Sequence, residues 1–449
     1  MFKLLALIDS AVLISDYFER KDYMKKRFTR HPLINTLINL EGNERACVYT
    51  EPLWGIPYNL YAPYATLYMY ALGVKDQQIG LLLSIGMVLQ VFAALFGGIA
   101  TDKLGRRKCT FIFDLISWSI PTLIWTFSQN FWWFLAATIF NSMWLITSNS
   151  WNCLMVEDCP PNLLVDIYTW CTISGLLSVF FAPLAGILVS KATLIPAMRI
   201  IYGLTFVMMT AKFIILYFYS KETKQGLRRL EETKDQRIVE MLAGYKDIFK
   251  LIVRTPATRM ILAIMTIINI RTMISGNFFS LYINKNLLIP ESYIAYFPIV
   301  RAAVMLAFIF TVQAFINDLS YRPVMTIGAG LYVLSNILLL LSKPQSYGIL
   351  LLYMLCESFA HALLIPRKDS LLVLFVDPQE RARVLGLIYV IMIAISSPFG
   401  WITGKLSEIN RMLPFVLNMI LYMACAALVL FSAPLAQHDQ NKGVNEVKA

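Results

Sequence analysis

Charged residues are scarce in this chain, and their scarcity excludes an ordinary soluble fold. Asp, Glu, Lys and Arg together make up 15% of the 449 residues, whereas 58% are apolar. Apolar runs of about twenty residues recur along nearly the whole chain, and such a run matches the roughly 30 Å hydrocarbon core of a bilayer. The composition therefore predicts a polytopic membrane protein.

The sequence also lacks the short motifs of common enzyme classes. It contains no G-x-x-x-x-G-K-[ST] phosphate loop, no H-E-x-x-H zinc site and no G-x-S-x-G nucleophile turn. ATP hydrolysis and metal-assisted hydrolysis within this chain would therefore have no residues to work with. We expect no enzymatic activity, no cofactor and no metal site.

The cysteines and the net charge exclude two further classes. The seven cysteines show neither paired nor metal-ligand spacing, so we interpret them as small apolar residues of helices. The formal net charge is +11, and the cations gather in loops on one predicted side of the membrane. Such cations orient the protein and meet anionic lipid, so nucleic acid is not an expected partner.

Twelve apolar runs are predicted to cross the membrane as helices. They cover residues 46–72, 77–101, 109–127, 131–155, 164–189, 196–219, 257–283, 291–316, 323–342, 346–375, 383–403 and 413–433. The stretch from Lys221 to Arg254, with nine Lys or Arg and six Asp or Glu, separates the first six from the last six. The predicted fold class is an all-α polytopic membrane protein with two six-helix bundles.

Five regions follow from this pattern. They are an amphipathic and basic N-terminal extension (1–45), a first six-helix bundle (46–220), a central linker (221–256), a second bundle (257–435) and a C-terminal tail (436–449). The extension can equally be a partly disordered tail. Because the N-terminus, the 103–108 turn, the linker and the 377–383 turn are the basic loops, both termini are expected in the cytoplasm.

The turn after the second predicted helix carries the most specific motif. It reads Gly98-Ile-Ala-Thr-Asp102-Lys-Leu-Gly105-Arg106-Arg107-Lys108. Asp102 opens a tight turn, and Gly105 permits a φ angle that a side chain would resist. This G-x-x-x-D-x-x-G-R-R-K spacing resembles the loop between the second and third helices of major facilitator superfamily transporters. The chain departs only at the last basic position, which is Cys109.

The resemblance implies a fold and a conformational latch. Members of the family would have two bundles that rock about a central site open to one face at a time. By the resemblance, Asp102 would lie near the start of the eleventh helix, around 384–386, and Arg106 would pair with Glu157 or Asp158 after the fourth. The alternative is that these cations only set the topology. The predicted latch comprises Gly98, Asp102, Gly105, Arg106, Arg107, Asp158, Asp377 and Arg381.

An internal repeat supports the division into halves. Asp158 and Asp377, in the loops after the fourth and tenth helices, lie 219 positions apart. Asp102 has a counterpart in Asp318, 216 positions further on, although the glycines around it are missing. Two landmarks at nearly one offset predict two six-helix halves in the same orientation.

Four ionisable residues of the second half are predicted near mid-bilayer, where charges are costly and mark candidate sites. They are Arg271, Arg301, Glu357 and His361. Glu357 and His361 share one helix face and could exchange a proton. Two arginines against one glutamate suggest either an ion pair that locks the half together or a spare cation for an anionic solute. The guanidinium fork suits carboxylate and phosphate.

The polar candidates of the first half are neutral. Tyr58, Asn59 and Tyr61 lie on the first helix, and Asn141 and Asn149 lie on the fourth. Aromatic rings with amides suit sugars, nucleosides, amino acids or flat drugs, but helix packing explains the same residues equally well.

Three further charged residues belong to the first half. Asp114 is expected near the cytoplasmic rim, where it is available to the basic turn. Arg199 and Lys212 are expected to extend their charged ends from opposite ends of the sixth helix into water, so they receive no functional role.

These observations predict a secondary active transporter of a small polar or anionic solute. It would work by alternating access, as a monomer in the plasma membrane, with membrane lipid around it. Proton coupling through Glu357, with His361 as its neighbour, is a hypothesis. The alternative is a non-transporting receptor or scaffold on the same fold, which would signal through residues 1–45 or 221–254.

Overall fold

The computed structural model describes residues 32–160, 163–235, 245–311, 320–374, 381–432 and 435. These residues form helices and connecting turns, and they include no β-strand. Nine of their helices are long and apolar enough to cross a membrane. Shorter helices occupy the predicted positions of the first, fourth and eighth spans, and the whole arrangement is consistent with twelve. The predicted all-α membrane fold is therefore confirmed.

The first half contains segments 1 to 6, numbered in chain order. Two short helices, Pro32–Ile38 and Gly42–Thr50, precede them. Segment 1 is Pro52–Tyr61 with Ala62–Tyr64 and Ala65–Ala71; segment 2 is Asp76–Leu104; segment 3 is Arg106–Asp114 with Leu115–Ser119 and Ile120–Phe127; segment 4 is Phe131–Asn141 with Trp144–Val156; segment 5 is Leu164–Val179 with Ala182–Ala192; and segment 6 is Leu194–Tyr219.

Two linker helices, Lys224–Glu232 and Tyr245–Arg254, lead into the second half. Segment 7 is Pro256–Lys285, segment 8 is Tyr296–Thr311, segment 9 is Tyr321–Leu341, segment 10 is Tyr347–Leu374, segment 11 is Arg381–Ile409 and segment 12 is Leu413–Leu430. A short 3₁₀ turn, Glu291–Tyr293, precedes segment 8.

Proline explains where segment 1 departs from the predicted single helix. The prediction begins at residue 46, but the structure ends one helix at Thr50 and starts the next at Pro52. A proline fits the first turn of a helix because its missing N–H has no partner there in any case. A second proline, Pro63, lies in the 3₁₀ turn that splits the segment again. Segment 10, by contrast, continues as a helix through Pro366.

Segments 2 and 11 form a tight seam between the two halves. A Cβ atom on Gly80 would lie 2.4 Å from the carbonyl oxygen of Gly400, and one on Gly404 would lie 2.8 Å from Gly80 Cα. The backbones therefore touch, which only glycine permits. One turn further along, the Ser84 hydroxyl donates to Ser397 O at 2.5 Å and accepts from Trp401 N–H at 2.7 Å.

Two faces are distinguished by their contacts. The linker face carries the Asp102–Arg106 turn and the helix Lys224–Glu232, which are joined by side-chain bonds. The opposite face carries Asp76 and Arg411, which join segment 2 to the turn before segment 12. Residues 1–31 and 436–449, which hold most of the predicted extension and all of the predicted tail, lie outside the described residues.

Candidate functional site

Two adjacent cavities lie between the halves. The larger, of about 600 Å³, is called here the aromatic cavity, because Trp54, Tyr58, Tyr61, Trp118, Trp125, Trp144 and Tyr202 line it. The smaller, of about 400 Å³, is called the charged cavity, because Arg301 and Glu357 line it. Tyr58 and Gly276 belong to both walls. Both volumes fall in the range that encloses a small ligand.

Glu357 lies between two arginines at the wall of the charged cavity. Its Oε1 accepts a hydrogen bond from Arg301 Nη2 at 2.6 Å and also contacts Arg271 Nη2. The side chains of Arg271 and Glu357 are 5% and 3% exposed, whereas that of Arg301 is 40% exposed. Arg271 is thus the buried partner of Glu357, and Arg301 is the cation that the cavity can reach.

Aromatic rings hold the buried arginine in place. The Arg271 guanidinium lies 4.7 Å from the ring centre of Tyr332, and Tyr332 stacks on Tyr422 at 4.2 Å. His361 Nδ1 lies 3.1 Å from the Tyr332 hydroxyl. The described partner of His361 is therefore a tyrosine, while the described partners of Glu357 are the two arginines. The predicted face shared by Glu357 and His361 exists, but each residue bonds elsewhere.

The charges around this cavity do not balance. Among the described lining residues, Arg301 and Glu357 are the charged ones, and Arg271 adds a second cation behind Glu357. One carboxylate facing two guanidinium groups leaves a net positive charge. A charge removed from bulk water is costly unless it is paired, so this excess favours a bound anion.

Four of the five neutral candidates of the first half line the cavities. Tyr58 stacks on Trp54 at 4.8 Å, and Tyr61 packs against Tyr202 at 5.2 Å. Asn59 and Asn141 also line cavity walls, although their amides donate to backbone oxygens of Gly55 and Ser117, both at 2.8 Å. Each side chain keeps its amide oxygen for other partners.

Asn149 has a different place. Its amide donates to Thr101 Oγ1 at 3.0 Å, which joins segment 4 to segment 2. It is not among the residues that line the aromatic or the charged cavity. Helix packing, the alternative kept open for these residues, describes Asn149 best.

The structure brings together a charged cluster that the sequence reasoning missed. Lys212 Nζ bonds Glu51 Oε2 at 2.8 Å, and Thr147 donates to Asp114 Oδ1 at 2.7 Å. These charged residues line a third cavity, of about 180 Å³. Lys212 is 5% exposed, so its expected extension into water is wrong. Segment 6 turns the Lys212 face inward.

A periodic signal could have revealed this burial. Tyr202, Thr205, Met209, Lys212 and Leu216 recur at three- and four-residue intervals, and all are buried. Such spacing marks one face of a helix that packs against its neighbours. Lys212 lies on that stripe, so its charge needed an acid nearby.

The predicted pairing of Arg106 is present in the structure. Arg106 Nε and Nη2 both bond the Glu157 carboxylate at 2.9 Å, and Nη1 reaches Asp102 at 3.0 Å. Gly105 has φ of 80°, which is the backbone conformation its place in the motif predicts. Asp158 accepts instead from the backbone N–H of Lys224 at 3.3 Å.

The central linker takes the place predicted for the eleventh helix. The expected neighbours of Asp102 were residues 384–386, but its described partners are Arg106 and Arg229, whose Nη2 lies 2.7 Å from Asp102 Oδ2. Glu222 accepts from the backbone N–H groups of Arg106 at 2.7 Å and Arg107 at 3.0 Å. A carboxylate at these exposed N–H groups also complements the positive end of the helix.

The remaining latch residues differ in what the structure shows. Arg107 donates to Tyr217 O at 2.8 Å and lies 4.1 Å from the Tyr217 ring centre. A Cβ on Gly98 would meet open space within 4 Å. Asp377 and the side chain of Arg381 lie outside the described residues, as does Asp318, the repeat counterpart of Asp102. Arg381 itself is the first residue of segment 11.

The opposite face is closed by contacts between the halves. Asp76 accepts from Arg411 Nε at 3.0 Å and from Ser407 Oγ at 2.7 Å. Tyr64 donates to Glu291 O at 3.1 Å. The described hydrogen bonds between the halves include these and the pair at Ser84, which lies on segment 2 next to the cavity-lining Leu83.

Comparison with known proteins gives the family. The model of the Major Facilitator Superfamily matches residues 55–275 and 260–449. Multidrug resistance protein MdtG of Citrobacter koseri is 25% identical over 209 residues, which are 45% of this chain and 50% of that protein. The chain thus spans about half the length of the curated relatives it matches.

Solved structures share the fold at low identity. The nucleoside transporter NupG superposes with a TM-score of 0.66 at 15% identity, over 87% of this chain and 100% of that one. A bacterial homologue of the human lysosomal transporter Spinster gives 0.68 at 14%, over 88% and 97%. With the family model covering most of its length, this chain belongs to the major facilitator superfamily.

Proposed function

We propose that this protein is a secondary active transporter that carries a small anionic solute by alternating access. The observation that carries the proposal is Arg301, which is 40% exposed in a cavity between the halves while its acid, Glu357, is shared with Arg271. The guanidinium can turn its free N–H groups toward a carboxylate or phosphate without leaving Glu357.

The closed opposite face supports alternating access. Asp76–Arg411 and Tyr64–Glu291 join the halves there, whereas the described bonds of Asp102 run to its own half and the linker. An arrangement in which the cavities are sealed from one side is what a carrier needs in one of its two states.

Proton coupling at Glu357 would work through its ion pairs. Protonation of Glu357 would remove the negative charge that holds Arg301, and Arg301 would then be free for the solute. Transport that does not vary with pH and that survives Glu357→Gln would remove this part of the proposal.

We also propose the orientation and the setting. The motif turn and the linker are the basic loops, and basic loops stay in the cytoplasm, so the linker face and both termini are placed there. The protein would act in the cell membrane as a monomer, with bilayer lipid around it. The domain limits proposed from the sequence, near residues 46, 221, 257 and 435, remain part of this proposal.

The test is thermal stability of the purified protein against carboxylates, phosphates, sugars, nucleosides, amino acids and cationic drugs. A ligand at a hundred times its dissociation constant adds about 2.7 kcal/mol. Anions should stabilise the wild type and Arg199→Ala, but not Arg301→Ala. If only neutral or cationic compounds act, the aromatic cavity becomes the site and the anion proposal fails.

The rival function, a non-transporting scaffold, is tested by a deletion. Residues 32–50 pack on the first half, since Thr36 donates to Asp166 at 2.7 Å and Cys47 is buried beside Met155 and Leu216, so the deletion should stop at residue 31. Transport by the shortened chain supports a carrier, whereas loss of a signalling phenotype with transport absent in both chains supports a scaffold.

A further inference from the structure

The part of the charged cavity wall that segments 5 and 8 form is apolar apart from Arg301, while Asn59, Ser275 and Ser280 lie on the other helices that line it. Leu176 and Val179 of segment 5 line it from one side, and Phe297 and Met305 of segment 8 line it from the other. A small hydrophilic anion at Arg301 would leave this wall in contact with water. The cavity thus offers one charged end and an apolar body, which is the pattern of an amphiphile.

The seam between segments 2 and 11 differs from the wall that segment 5 gives to the charged cavity. Segments 2 and 11 touch through the backbones of Gly80, Gly400 and Gly404. In segment 5, by contrast, Leu176 and Val179 face the cavity while Leu177 and Phe180, on the outer surface, are 57% and 49% exposed. At this level segment 5 is therefore the layer between the charged cavity and the surrounding lipid.

We infer that the solute is a single-chain anionic amphiphile, with its oxyanion head at Arg301 and its chain along the wall formed by segments 5 and 8. The inference rests on the proposed function, because the same arginine binds the head. Each methylene that leaves water for this wall raises affinity by about fourfold. Carboxylate and phosphate heads share the chemistry that the guanidinium recognises, so both belong in the test.

The experiment measures binding to the full chain in lipid nanodiscs by isothermal titration, corrected for partition into empty nanodiscs. The probes are butyrate, dodecanoate, dodecyl phosphate and dodecanol. Dodecanoate or dodecyl phosphate should bind at least a hundredfold tighter than butyrate, and dodecanol should bind at least tenfold weaker than the tighter of the two. Comparison of the two anions identifies the preferred head.

Two pairs of variants separate the head from the chain. Arg301→Gln should abolish binding of both long anions, whereas Arg199→Gln, a cation at the wall of the first half bonded to Ser128 O, should leave it unchanged. Gly276→Leu places a side chain in the shared wall, where a Cβ meets nothing within 4 Å, and should weaken dodecanoate more than tenfold.

Gly175→Leu is the matched control for the obstruction. A Cβ on Gly175 also meets nothing within 4 Å, and this glycine is exposed on segment 5 outside the cavity lining, so dodecanoate binding should persist. Met305→Phe places a larger side chain in the same cavity and replaces Gly276→Leu in the experiment if that variant does not fold.

The outcomes distinguish the two proposals. The amphiphile inference is wrong if dodecanoate binds no tighter than butyrate, or if Gly276→Leu and Met305→Phe both leave its affinity unchanged. In that case a butyrate site that depends on Arg301 would still support the proposed function. If dodecanol binds as tightly as the anions, the wall binds chains without a head and the inference is again wrong. If Arg301→Gln changes the affinity of none of the probes, the proposed anion site itself is wrong.

Discussion

Asp76 at the start of segment 2 and Arg411 before segment 12 form a salt bridge of 3.0 Å that joins the two halves at the opposite face. Asp76 is 4% exposed and also accepts from Ser407, so its charge has two donors. The pair therefore stabilises the state in which this face is closed.

Asp76→Asn should open the opposite face. A hydrogen-bonded charge of this kind contributes about 2 kcal/mol, which would shift the equilibrium between the two states roughly thirtyfold. Hydrogen exchange at the ends of segments 2 and 11 on this face should speed up accordingly. Glu408→Gln, an exposed acid at the same end of segment 11, should change nothing. Unchanged exchange in Asp76→Asn would show that the glycine seam alone keeps the face closed.

Gly404→Ala should destabilise the protein. The added Cβ would lie 2.7 Å from Asp76 O and 2.8 Å from Gly80 Cα, and backbone atoms cannot move aside cheaply. Overpacking of this kind costs about 1–3 kcal/mol. Gly386→Ala lies on the same segment with nothing within 4 Å, so there the better helix propensity of Ala should stabilise by about 0.5–1 kcal/mol. Thermal unfolding should therefore give a lower Tm for Gly404→Ala and a higher Tm for Gly386→Ala. Shifts of the same sign in both variants would contradict close contact at the seam.

Arg271→Gln should mainly lower stability, whereas Arg301→Gln should mainly remove anion binding. Arg271 is 5% exposed, and its loss leaves Glu357 with one partner fewer in the interior, so stability should fall by about 3–5 kcal/mol. Arg301 is 40% exposed and its loss leaves Glu357 paired with Arg271, so stability should fall less than in Arg271→Gln while anion binding disappears. Thermal unfolding and ligand titration of the two variants measure this difference. A larger stability loss in Arg301→Gln would reverse the assignment of the two cations.

Glu222→Ala should loosen the start of segment 3. The change leaves the N–H groups of Arg106 and Arg107 without their carboxylate, which should cost about 1–2 kcal/mol. Glu222→Gln keeps an acceptor oxygen and should lose less. Glu231→Ala, an exposed acid of the same linker, is the control. Protease cleavage in the 103–108 turn should rise in the order wild type, Glu222→Gln, Glu222→Ala.

The sequence predicted well whatever depends on local spacing. Runs of apolar residues located the helices, the motif predicted the positive φ of Gly105, and the resemblance supplied the partner of Arg106, since Glu157 is one of the two acids proposed for it. Arg271 and Glu357 also lie well inside segments 7 and 10, and their mid-bilayer depth stays a prediction. Apart from the Arg106–Glu157 pair, which spans 51 positions and came from the resemblance, the information lies within one helix or one turn.

Contacts between distant positions could not be predicted in the same way. Arg229 reaches Asp102 across 127 positions, and Glu222 reaches Arg106 across 116. Spacing contains no information on such pairs, because they depend on how whole helices pack. Lys212 is the intermediate case: its buried stripe was readable in the sequence, but its partner Glu51, 161 positions away, was not.

The hydrogen bonds between the linker and the first half determine where the chain can be divided into two fragments. Glu222, Arg229 and Thr233 all bond residues of the 102–107 turn, so the linker as far as Asp235 belongs mechanically to the first half. A gene cut after residue 235 would keep all of these contacts within the first fragment. Two co-expressed fragments should therefore reassemble into a working protein. A cut after Ser220 should instead yield a first fragment that lacks the linker residues bonded to its 102–107 turn.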